Sequence, residues 1–179
     1  MQVLNTGQWQ RRGLMRLILG MFLIYMFFFW ITNWGLWLTK MSFDPQVIAI
    51  YYLGDTASEF GLPPRPLGAM FEHSHQHLFA MGMLLLTLTH LVIFLPIPMR
   101  VKGPLVMGTF VAALLEQGAD WIIRFGGAQF AWLKIAAFLA LQIILLALIV
   151  ALLVGIIRPM SSKRAGPGTP QAMVQGRQS

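Results

Sequence analysis

The sequence predicts an all-α integral membrane protein: a bundle of four transmembrane helices, both termini cytoplasmic, with a short interfacial helix in the first outer loop. Three observations predict it. Of 179 residues, 57% are apolar and only 11% charged, unlike the mix of a soluble domain. The apolar residues gather into four long runs, each able as a helix to cross the roughly 30 Å hydrocarbon layer and too long for a barrel strand. Basic residues crowd one set of run ends while all six acids lie elsewhere.

Residues 1–13 form a cytoplasmic N-terminus, and the first span covers 14–38. Arg11, Arg12 and Arg16 precede it and Trp30, Trp34 and Trp37 close it, the basic and aromatic anchors of a membrane helix. The run is too long for a secretion signal and has no small-residue cleavage site after it, so it reads as an uncleaved anchor. In the polar stretch that follows, Asp44-Pro45 offers an N-cap and a first helical position for a short interfacial helix, Gln46 to Leu53. Gly61-Leu62-Pro63-Pro64-Arg65-Pro66 then imposes an extended segment.

The second span covers 71–95 and stops at Pro96-Ile97-Pro98. Met99 to Gly103 reads as a tight basic turn, and Pro104 opens the third span, 104–125. Gly126-Gly127 signals a turn before the fourth span, 130–157, the most uniformly apolar. These spans make one membrane domain, 14–157. The tail, 158–179, is rich in Gly, Ser, Pro and Gln and is expected to be a disordered cytoplasmic extension.

Orientation follows from charge. The N-terminal segment, the 99–103 turn and the tail carry nine basic residues, from Arg11 to Arg177, and no acid. The positive-inside tendency places all three in the cytoplasm and the long loop outside. The net charge of +7 is therefore a topology signal, not the mark of a nucleic-acid partner. The absence of cysteine excludes disulfides, thiolate metal sites and covalent c-type haem.

Chemistry must come from groups that are costly to bury. All four histidines lie on the second span, in Glu72-His73-Ser74-His75-Gln76-His77 and at His90. His73 and His77 are neighbours on one face, a spacing that lets two imidazoles reach one metal, with Glu72 or a loop carboxylate such as Asp55 or Glu59 as a third ligand; copper, zinc or iron would suit. At about 100° per residue, Glu72, Gln76, Met83, Thr87 and His90 share a narrow arc, expected to face the bundle interior. The third span carries Glu116, Asp120 and Arg124 along one stripe, with Asp120 and Arg124 spaced for an intrahelical ion pair and Glu116 and Asp120 as buried polar groups on a proton path. The first and fourth spans read as apolar cladding.

Two functional readings follow, with a bland one beside them. In the first, haem b is held non-covalently by His75, His77 or His90, with Arg124 meeting the propionates. His77 and His90 lie about 140° apart on the helix and no other span carries a histidine, so the second axial ligand comes from a homodimer or a methionine. In the second, the metal site of Glu72, His73 and His77 lies at the outer face. In the bland reading these residues glue helices together in a non-catalytic structural or assembly subunit of a larger complex.

Tyr51-Tyr52-Leu53-Gly54-Asp55, the Leu62 to Arg65 turn and Glu72 to Met81 with the later His90 resemble a group of small proteobacterial four-span membrane proteins bearing a His-x-His-Leu-Phe-x-Met motif. The resemblance covers mainly residues 50–95; it implies the fold and a role for His75, His77 and His90, without an activity. A looser likeness to cytochrome b bundles rests on fold and histidine depth. The combined expectation is an inner-membrane subunit that binds haem b or a metal and takes part in electron transfer with quinol and partner membrane or periplasmic redox proteins.

Overall fold

Helix α1, Val3–Lys40, is continuous from the basic N-terminal segment to the tryptophan cluster, because nothing in it breaks the ladder: it contains no proline and its glycines are well separated. A computed structural model describes residues 3–55 and 61–157; of residues 3–12 only the helical course is described. The expected disordered tail and the loop carboxylate Glu59 lie outside the described residues.

Asp44 caps α2, Pro45–Leu53, its carboxylate accepting from the Gln46 N–H at 2.8 Å, with Pro45 opening the helix where no N–H is needed. Gly54, at φ 80°, ends it. Asp55 and Leu62 then exchange two backbone hydrogen bonds of 2.9 Å, and Arg65 N–H donates to the Tyr52 carbonyl, so the loop folds back against α2.

Helix α3, Leu67–Val92, starts after Pro66, and α4, Met99–Gly126, starts after Pro98. The basic Met99–Gly103 stretch is therefore the first turn of α4, not the link, and the chain reverses over residues 93–98. Pro98 supplies the extended residue before the helix and Lys102 reaches back to donate to the Ile93 carbonyl at 2.6 Å, satisfying an orphan group at the end of α3. Gly127, at φ 106°, stops α4, and a short 3₁₀ turn, Ala128–Phe130, leads into α5, Ala131–Ile157.

Helix α5 is the hub, packing against α1, α3 and α4, whereas α1 and α3 do not pack backbone against backbone. One apolar cluster joins Leu23 and Met26 of α1, Met81, Leu85, Leu88 and Val92 of α3, and Leu141, Leu145 and Leu148 of α5. A second, towards the opposite end, joins Trp37, Ile48, Tyr52, Met70, Ile123 and Phe138, with the Trp37 and Phe138 rings stacked 3.9 Å apart. On α3 and α4 the polar residues discussed below fall between the two.

Among the described residues three segments are long and apolar enough to cross a membrane: Gly13–Lys40, Met99–Gly126 and Ala128–Ile157. Helix α3 has the length, at 26 residues, but the polar run Glu72 to His77 lowers its hydropathy.

Candidate functional site

The most heavily charged part of the interior is built around Lys134, one turn into α5. Its ammonium donates to Glu116 Oε1 at 2.6 Å and to the Glu116 carbonyl at 3.0 Å, and meets Asp120 Oδ1. Lys134, Glu116 and Asp120 are 3%, 8% and 2% exposed, so this is a buried ion triad. The four-residue step from Glu116 to Asp120 puts both carboxylates on one face of α4, and the packing of α4 on α5 places the lysine between them.

Two further groups complete the cluster. The Tyr52 hydroxyl of α2 donates to Asp120 Oδ1 at 2.7 Å, and burial, followed by the adjacent Asp120 charge, pushes its proton loss far above the ordinary phenol range, so it remains a donor. His77 Nε2 of α3 stands 3.4 Å from Glu116 Oε2, close enough for charge attraction when the imidazole is protonated but without hydrogen-bond geometry. Beside them Ser74 Oγ accepts from Gln117 Nε2 at 2.8 Å and Trp121 Nε1 at 2.9 Å, pinning α3 to α4.

Of this cluster Tyr52, His77, Glu116 and Lys134 line a cavity of about 350 Å³ between α1 and α3, floored by α5. Asn33, Trp37, Tyr52, His77, Glu116, Lys134 and Gln142 supply polar groups, and Phe29, Leu36, Met81, Phe138 and Leu141 apolar walls. Lys40 and Arg65 line it as well, Arg65 lying over the Tyr51 ring at 4.9 Å.

The structure brings together His77, Glu116 and Asp120, and places His73 on the same cavity with its ring 5.4 Å from that of His77. It leaves out His75, Glu72 and His90, all exposed, the last packed edge-on against Phe94. The arc of Glu72, Gln76, Met83, Thr87 and His90, expected to face inward, is exposed throughout. The buried face of α3 is instead Met70, Ser74, Met81, Leu85, Leu88 and Val92, because that stripe offers more apolar area to α4 and α5. The expected Asp120–Arg124 pair is also corrected: Lys134 and Tyr52 occupy the Asp120 carboxylate, and Arg124 Nε donates at 3.4 Å to the Arg65 carbonyl. Among the described residues no group of three His, Asp or Glu is placed to hold a metal, and Glu72 faces away from the His73–His77 pair's cavity.

Sequence reasoning missed Lys134, Tyr52 and Gln142, and treated α1 and α5 as cladding although both line the site. A signal for Lys134 existed. It is the single charged residue of the fourth span, and it lies seven residues after Gly127 while Asp120 lies six before Gly126, hence at matching depth across the turn.

No curated protein and no solved structure matches the chain. A family model described as a transmembrane helical domain matches residues 42–164, which take in α2 to α5 and with them every residue of the ion triad. That match covers most of the chain, and the protein belongs to this family of transmembrane helical domains, Aq_1264_TM.

Proposed function

We propose that this chain is a multi-pass membrane subunit taking part in electron transfer, in which the Lys134–Glu116–Asp120 triad and His77 carry protons to and from a small ligand in the cavity. One observation carries the reading: three ionisable side chains, each costly to remove from water, are buried together, and two of them, Glu116 and Lys134, line a cavity beside an imidazole. A lysine shared by two carboxylates can pass charge between them as one gains a proton, and an imidazole at the cavity edge is suited to exchange that proton with a bound molecule.

The same reading takes α3 as a fourth crossing. Its 26 residues extend about 39 Å, and it packs against both α4 and α5. With the acid-free basic segments inside, both termini are cytoplasmic and the cavity lies in the outer half of a bacterial inner membrane. A haem b or metal belongs to this reading only with a methionine or a ligand from another chain beside His77, since His75 and His90 are exposed away from its cavity.

Redox-induced infrared difference spectroscopy on the full-length protein in its native membrane tests the proposal. A carboxyl band that responds to reduction and disappears in Glu116→Gln is the expected result. A spectrum with no redox-linked carboxyl feature overturns it. The second reading, a non-catalytic structural subunit, is favoured by the saturation of the Lys134 ammonium, which meets three acceptors; a flat spectrum would select it.

A further inference from the structure

Five buried side-chain polar atoms among the described residues have no hydrogen-bond partner, and three of them, Trp37 Nε1, His77 Nε2 and Gln142 Oε1, belong to residues lining the cavity. Trp37 and Gln142 are 5% and 2% exposed. Inside a membrane bundle unpaired polar atoms are not tolerated without a reason, because lipid cannot supply the missing bond. An occupant that completes the wall must offer an acceptor to the Trp37 N–H and a donor to the Gln142 carbonyl.

The polar atoms form two poles. His77 and the triad mark one; Gln142, eight residues beyond Lys134 and about 12 Å further along the same side of α5, marks the other. Between them the wall is Met81, Phe138 and Leu141, with Phe29 and Leu36 opposite and the Asn33 amide as the one polar group there. A file of waters would gain little along such a wall, whereas a ring with apolar faces and an oxygen at each end meets both the poles and the middle. The cavity lies between α1 and α3, whose backbones do not pack on each other, which gives an apolar tail a way out to lipid.

We propose that the cavity binds the head group of a quinol, one ring oxygen at His77 beside Glu116 and within the reach of the Trp37 N–H, and the other, as a hydroxyl, donating to Gln142. The inference rests on the electron-transfer reading and names its ligand; the electrons themselves pass to or from a partner's redox centre.

The test uses the full-length protein in nanodiscs, with a short-chain hydroquinone carrying a photoreactive azide as probe and the unmodified hydroquinone as competitor. Saturable, competed labelling of α1, α3 and α5 around the cavity is expected, with apparent affinity about fivefold weaker in Gln142→Leu and in Trp37→Phe, the loss of one neutral hydrogen bond each. Trp34→Phe removes an unpartnered N–H that does not line the cavity and leaves affinity unchanged. Thermal melts of all three variants separate weak binding from misfolding. Saturable binding that neither cavity variant weakens, or no saturable binding, overturns the proposal. In either case a redox-linked Glu116 infrared band would leave the electron-transfer reading standing, and its absence would sink both.

Discussion

Replacing Lys134 by Met isolates the triad. Lys134 Nζ is the cation shared by Glu116 and Asp120, and methionine keeps nearly the length of the side chain while removing all three of its polar contacts. Two carboxylates, 8% and 2% exposed and one turn apart on α4, are then left facing each other with the Tyr52 hydroxyl and His77 as their remaining neighbours. Breaking a buried charge pair from one side destabilises by about 3–5 kcal/mol, because the abandoned charge has lost both water and its partner. The variant Lys134→Met should lose stability in that range, read by detergent-titrated unfolding of the purified protein.

The reasoning has a second half. If the loss comes from unpaired charge and not from a misfit at position 134, neutralising the acids in Lys134→Met/Glu116→Gln/Asp120→Asn restores most of it, since replacing a whole buried ion group is often close to neutral. A single variant within about 1 kcal/mol of the parent, or a triple variant no better than the single, would refute the assignment of Lys134 as the triad's structural centre.

Tyr52→Phe deletes the hydrogen bond to Asp120 and should cost about 1.5–3 kcal/mol, the range for a bond to a charged acceptor, in the same unfolding assay. Gly54→Ala puts a Cβ into the Leu62 carbonyl at a positive φ and should destabilise by about 1–3 kcal/mol, seen also as faster proteolysis near residue 62. His90→Ala, on an exposed face, should stay within about 0.5 kcal/mol of the parent by unfolding, while His77→Ala abolishes the redox-linked carboxyl band assigned to Glu116. Because the chain has no cysteine, Ser42→Cys and Gly103→Cys can be labelled singly in intact cells with a membrane-impermeant maleimide. Ser42→Cys should react and Gly103→Cys should not; equal labelling would mean that α3 does not cross.

Much of the fold was legible because its signals are local. Asp44-Pro45 fixes the start of α2 through a cap and a missing N–H, Gly127 fixes the end of α4, and the apolar runs fix α1, α4 and α5 by length. The 99–103 segment was misread because Pro104 looked like a helix start. Pro98 in fact opens α4 and Pro104 sits inside it. Loss of a single N–H is tolerable so near the helix end, where little of the ladder has yet formed.

The site was half legible for a different reason. Spacing along one helix shows that Glu116 and Asp120 share a face, and it equally shows that Glu72, Gln76, Thr87 and His90 share one. It does not show which face a neighbour will cover. On α3 the competing stripe from Met81 through Leu85 and Leu88 to Val92 packs against Leu141, Leu145 and Leu148 of α5, and the area it removes from contact with lipid or water decided the rotation of the helix. That rotation carried His77 inward to Glu116 and left His90 outside. The lone lysine of α5 then becomes the discriminating residue. A cation in so apolar a span is stable only against acids at its own depth, which matches it to Asp120 and Glu116 on the neighbouring helix and to no residue on the polar arc of α3.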